Sequence, residues 1–128
     1  MFSREIKAPL IMSQITIYHN PRCSKSRQTL ALLEEKGVSP SIIEYLSQPP
    51  SPDELSDLLG KLGLAASDLV RKKEPPFSDL GLGSPEVTDA DLVAAMCENP
   101  ILIERPIVTD GDRAVLGRPP ENVLALLH

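Results

Sequence analysis

The feature that most constrains this chain is its opening: a β-branched run, a break, a cysteine, and then a helix-forming stretch. Gln14-Ile-Thr-Ile-Tyr-His19 alternates apolar and polar residues and reads as a strand, which Asn20-Pro21 interrupts. Helical character follows from Ser24 to Lys36, apolar at Leu30, Leu32 and Leu33, with Gly37 as its stop. Ser41-Ile-Ile-Glu-Tyr-Leu46 is a second strand. A β-α-β run of about 35 residues has the size of a right-handed parallel unit.

Beyond it the chain turns helical. Ser51-Pro52-Asp53-Glu54 combines a cap, proline at the first helical position and a capping-box glutamate, and predicts a helix to Lys61 ended by Gly63. A short helix is expected over Ser67 to Lys72. Another opens at Thr88-Asp-Ala-Asp91, turns Leu92, Val93 and Met96 inward, and stops at Asn99-Pro100. Ile107 to Leu116 is β-rich around Asp110-Gly111, a hairpin signal, and Pro119-Pro120-Glu121 starts a last short helix carrying Val123, Leu124, Leu126 and Leu127. The order β-α-β, helices, β-β, α is the plan of an α/β, thioredoxin-like (glutaredoxin-like) fold. Its mixed sheet is flanked by helices, with a helical insertion between the βαβ and ββα halves.

At 128 residues this is one expected domain, residues 12–128, preceded by an N-terminal extension over 1–11 that is read as disordered. The net charge of −5 argues against a nucleic-acid binder. That average conceals a basic segment: Ile6 to Leu33 holds no acid but carries Lys7, Arg22, Lys25 and Arg27. A local positive field in an acidic protein suits a small anionic ligand. No apolar run is long enough to span a bilayer, and the N-terminus lacks a secretory signal, so a cytoplasmic, membrane-free protein is expected.

Cys23 stands between strand and helix, where unpaired backbone N–H groups and the helix dipole favour a thiolate and cradle an anion. Arg22, Lys25 and Arg27 add positive charge, and the Ser26 hydroxyl can donate to the sulfur. These four are the expected thiolate-stabilising residues. A merely packed cysteine is the competing reading, disfavoured because burial beside three cations is costly. Cys23-Ser24-Lys25-Ser26 occupies the place of a C-x-x-C pair but lacks the second thiol, so an external reductant is implied. Cys97 reads as packing. His19 and His128 give no zinc-ligand spacing with the cysteines, so no metal is expected. Arg71, Arg105 and Arg118 offer planar forks that fit a tetrahedral oxyanion. By analogy with the thioredoxin plan, Arg105–Pro106 is expected to be cis and to face the cysteine.

Ile15-Thr-Ile-Tyr-His-Asn-Pro-Arg-Cys-Ser-Lys-Ser-Arg27 resembles the signature of the glutaredoxin-coupled arsenate reductases. So do Ile42-Ile-Glu-Tyr-Leu46 with Pro49-Pro50, Leu69-Val-Arg-Lys72, Asn99-Pro-Ile-Leu-Ile-Glu-Arg-Pro106 and Gly117-Arg-Pro119. The resemblance implies Cys23 as the catalytic cysteine and Arg71, Arg105 and Arg118 as oxyanion ligands. It also implies Ser26 as an aid to the thiolate and His19 as an accessory residue. It implies arsenate as substrate, glutathione as co-substrate, glutaredoxin as partner, no bound cofactor, and a monomer. The sequence departs from the family pattern at Arg22 and Lys25, where many members have small or uncharged residues, and it ends at His128 where many relatives continue. Two alternatives share the fold: a Spx-like regulator binding RNA polymerase, and a glutathione-dependent thiol reductase acting on another substrate.

Overall fold

The computed structural model describes residues 15–127. The extension expected over 1–11, and His128, lie outside the described residues. The chain divides into two compact units. One is built from both ends of the chain, up to Glu44 and from Arg105 onward; the other spans Tyr45–Glu104.

In the first unit β1 (Thr16–His19) runs into helix α1 (Ser24–Glu35) and then β2 (Ser41–Glu44); β3 (Ile107–Thr109) and β4 (Ala114–Leu116) follow from the far end of the chain. The strand order is β2-β1-β3-β4. β1 pairs parallel to β2, with Ile17 opposite Ile42, and antiparallel to β3, with Ile17 opposite Val108. β3 and β4 form the antiparallel hairpin that Asp110-Gly111 signalled, with Gly111 at φ 100°. This mixed sheet is thioredoxin-like, as the element order predicts.

Alternation in β1 sends Ile15 and Ile17 into the core, where they meet Leu33, Val38, Val108, Val123 and Leu126. Gly37, at φ 83°, ends α1 because the turn needs a left-handed residue. Gly37 N–H then reaches Glu34 O and Val38 N–H reaches Leu33 O, both at 3.0 Å, which drops Val38 onto Leu33. The final element is a 3-10 helix, Pro120–Leu126, not an α-helix. Its buried residues Pro120, Val123 and Leu126 recur every third position, the period of that helix, and it packs on α1 and β4.

The second unit is helical. α2 (Pro52–Leu62) opens with the Ser51–Glu54 capping box, worth about 1 kcal/mol, and ends at Gly63 with φ 69°. α3 is Ala66–Leu69, α4 Pro75–Asp79 and α5 Asp89–Glu98; a short 3-10 turn, Pro100–Leu102, follows. α5 begins with the Thr88–Asp91 box and buries Leu92, Val93, Ala95 and Met96.

Three expectations need correction. The second strand stops at Glu44, and Tyr45 begins a turn. The helix expected over Ser67 to Lys72 is the shorter α3, because Val70 turns extended and bridges to Ile103. Arg71 N–H then donates to Leu102 O at 2.7 Å and Glu104 N–H to Leu69 O at 3.0 Å, which the helical ladder would forbid. Finally, α4 has no counterpart among the elements expected from the sequence.

Candidate active site

β1 delivers the chain to a tight loop, and the loop is built around Asn20. Asn20 O accepts from Cys23 N–H at 3.0 Å, and its side-chain Oδ1 accepts from Arg22 N–H at 3.0 Å. Cys23 is the N-cap residue of α1, extended at φ −93° and ψ 124°, and only 8% exposed. Its side chain forms no capping hydrogen bond of ordinary geometry, yet the N–H groups of Ser26 and Lys25 act on the sulfur.

Burial alone pushes the Cys23 thiol up. It is outweighed by the Ser26 N–H, by the Arg105 guanidinium acting through a hydrogen bond and through charge, and by the Lys25 N–H. The net result is a thiol below the ordinary cysteine value, as a nucleophile requires. Arg118 Nη2 also donates toward Cys23 Sγ at 3.8 Å, while its Nε donates to Arg105 O at 2.8 Å. Two arginines remote in sequence therefore meet the thiol within one unit. The Arg105–Pro106 peptide is cis, and so is Arg118–Pro119; the sequence drew attention only to the first.

Of the four residues expected to stabilise the thiolate, Ser26 and Lys25 meet it through the backbone and Arg27 is engaged elsewhere. Ser26, fully buried, does not spend its hydroxyl on the sulfur. Ser26 Oγ accepts from Asn20 N–H at 3.0 Å and lies 2.7 Å from His19 Nδ1. Ser26 and Lys25 reach the thiol through backbone N–H groups. The Arg27 guanidinium turns back to Pro21 O at 2.9 Å. Arg22 is exposed. The physical reason is direction: side chains at consecutive positions of a first helical turn fan outward around the axis, whereas the N–H groups all point back at the cap.

His19 is buried at the end of β1. Burial lowers its pKa, the facing Glu44 opposes this, and Arg27 lowers it further. Ser26 Oγ is thus bonded both to His19 Nδ1 and to Asn20 N–H, which closes the loop network.

Arg71 belongs to the helical unit. There its Nη1 pairs with Glu104 Oε1 at 2.5 Å and its Nε with Glu74 Oε2 at 3.3 Å, all three side chains half-buried. Cys97, in the same unit, has its thiol pushed up by burial first and then by Glu54 and Glu98. Among the described residues no three His, Cys, Asp or Glu side chains cluster as a metal site would need. Sequence reasoning missed Asn20, Thr29 and Gly117 as builders of the site. The glycine directly before Arg118-Pro119, and a threonine three residues beyond Ser26 on the same helix face, were the available signals.

A thiol of lowered pKa at a helix N-terminus, met by two guanidinium groups in a thioredoxin-like sheet, is the arrangement that a single-cysteine site of the thiol-redox class would use. The chain belongs to the ArsC family, whose model matches residues 18–126. It is 46% identical to the arsenate reductase of Neisseria meningitidis serogroup A over 91% of this chain and 100% of that one. It is 48% identical to the uncharacterized protein YfgD of Escherichia coli K12, over 89% and 97%. Among solved structures, the arsenate reductase from Vibrio cholerae superposes with a TM-score of 0.85 at 50% identity, over 88% of this chain and 96% of that one.

Proposed function

We propose that this chain is an arsenate reductase that draws its electrons from glutathione and glutaredoxin. The observation that carries this reading is the approach of Arg105 and Arg118 to a thiol of lowered pKa, which joins nucleophile and oxyanion cradle. The relatives named arsenate reductase, at 46% and 50% identity, support the same substrate.

The proposed sequence starts with arsenate held by the N–H groups of α1 and by Arg105 and Arg118, with Arg71 as third ligand on the family resemblance. The Cys23 thiolate attacks arsenic; a sulfur–arsenic bond forms, and one arsenic–oxygen bond breaks as oxygen leaves with two protons as water. Glutathione thiolate then attacks the Cys23 sulfur. The sulfur–arsenic electron pair stays on arsenic, which leaves as trivalent arsenite, and a Cys23–glutathione disulfide remains. A glutaredoxin thiol removes the glutathione and restores Cys23. The two electrons come from Cys23 and glutathione, so no resident metal or cofactor enters. The guanidinium groups follow the moving charge, which is stabilisation of the oxyanion type. We place this chemistry in a reducing, cytoplasmic setting and in a monomer, in keeping with two free cysteines.

One observation favours a second reading. Arg71 already faces two carboxylates, Glu74 and Glu104, so its charge is compensated before any anion arrives. A glutathione-dependent thiol reductase acting on a less anionic substrate would fit that arrangement.

NADPH oxidation in a mixture of arsenate, glutathione, glutaredoxin and glutathione reductase tests the proposal. Turnover that requires arsenate, glutaredoxin and Cys23, and that vanishes in Cys23→Ser, is expected. Glutaredoxin-driven release of glutathione from Cys23 without any dependence on arsenate would transfer the case to the second reading.

A further inference from the structure

Thr29 is an unusual residue for its place on α1. The buried face of that helix is Ser26, Thr29 and Leu33, and a hydroxyl there needs a reason. Thr29 Oγ1 donates to Lys25 O at 2.8 Å, one turn back, and toward Gly117 O at 3.2 Å. Gly117 presses against the same side chain. A Cβ built on Gly117 would stand 2.6 Å from Thr29 Oγ1, 2.9 Å from Thr29 Cγ2 and 2.8 Å from Pro106 Cγ. Contacts this short force something to shift, and Thr29 and Pro106, both fully buried, have little room to do so.

Gly117 N–H also donates to Pro106 O at 2.9 Å. Gly117 is therefore clamped between the helix that begins at Cys23 and the residue that follows Arg105. The next residue is Arg118, whose Nη2 lies 3.8 Å from Cys23 Sγ and whose Nε lies 2.8 Å from Arg105 O. A single close approach thus fixes where both guanidinium groups stand relative to the sulfur.

We propose that Thr29 and Gly117 are positioning residues: their contact sets the spacing between the Cys23 thiol and the Arg105–Arg118 pair. This deepens the functional reading by naming what holds its site together, and it rests on that reading only for the identity of the anion.

The test is the pH dependence of Cys23 alkylation by iodoacetamide, a neutral reagent, followed by mass spectrometry on the full chain. In Gly117→Ala the added methyl must part α1 from Pro106 and Arg118. The alkylation rate near neutral pH is expected to fall about three- to tenfold, with the titration midpoint about half a unit to one unit higher. Thr29→Ala removes both threonine atoms that the new methyl meets, so the double variant should recover part of that loss. If Gly117→Ala does not fold, Thr29→Val and Thr29→Ser decide the matter: Ser keeps the hydroxyl and the midpoint, whereas Val keeps the shape and raises it. A purely structural role would lower thermal stability and leave the midpoint in place. An unmoved midpoint in folded Gly117→Ala, or equal midpoints for Val and Ser, overturns the proposal. Because the readout uses no arsenate, a shifted midpoint in a protein that fails to reduce arsenate would sink the substrate assignment and uphold the positioning role.

Discussion

The two cysteines make an instructive pair. Both are sheltered from solvent to some degree, and for both the first effect of the protein is to disfavour the thiolate by burial. They part company over what else is nearby. Cys23 has the N–H groups of a helix N-terminus and the Arg105 guanidinium, and its pKa falls. Cys97 lies on the last turn of α5 with Glu54 and Glu98 close by, and its pKa rises. The groups assembled around a sulfur, more than its exposure, therefore set the direction in which its pKa moves.

That contrast can be broken from the Cys23 side. Arg105→Ala removes a side chain that lowers the thiol both by hydrogen bond and by charge. It should cost about a hundredfold in kcat/KM for arsenate in the coupled assay, and move the Cys23 alkylation midpoint toward the ordinary cysteine value. Arg105→Lys keeps charge without the planar fork and should recover only part.

The contrast is sharpened by labelling both thiols at once. With limiting iodoacetamide near neutral pH, Cys23 should be modified at least about tenfold faster than Cys97. In Glu54→Gln/Glu98→Gln that gap should narrow by about two- to fivefold, because two like charges no longer oppose the Cys97 thiolate. Peptide mapping reads both sites in one sample, and equal labelling in the wild type would remove the basis of the comparison.

The smallest effect is on stability, and its sign differs between the sites. A depressed folded pKa at Cys23 contributes stability that is fully present above the unfolded thiol pKa and is lost as pH falls through the folded value. The raised pKa at Cys97 contributes stability below the unfolded value that is lost as pH rises through the folded one. Between about pH 7 and pH 10, the Tm difference between wild type and Cys23→Ser should therefore move in favour of wild type as pH rises. The difference from Cys97→Ser should move against it, each by a degree or so, about the limit of a thermal melt.

Local signals were the legible part of the sequence. The capping boxes of α2 and α5, the glycine stop of α1 and the Asp110-Gly111 hairpin all lie within a few residues of what they determine, and all are present. What depends on distant partners was not legible. Ser67 to Lys72 looked helical because nothing nearby announced that Val70 would bridge to Ile103. At the site, Arg105 and Arg118, remote along the chain, both reach Cys23, a convergence that closeness in sequence does not announce. Periodicity and spacing could not have shown that those two converge on Cys23; their chemistry made them candidates, and the family resemblance implied a shared role. The Asn20–Ser26–His19 network was hidden because a serine and a histidine carry no mark of whom they will bond.

Ser26 has a consequence for how such a protein can change over generations. The position where a second thiol would convert this site to dithiol chemistry is occupied by a buried hydroxyl that accepts from Asn20 N–H and bonds His19. Cysteine is a poor acceptor, so the single substitution Ser26→Cys would loosen the turn that presents Cys23 before it delivered a working pair. A lineage moving between the two chemistries would have to remake the loop first, at Asn20 or His19, and only then exchange the serine. The order of mutations, more than their number, separates one mode of redox chemistry from the other here.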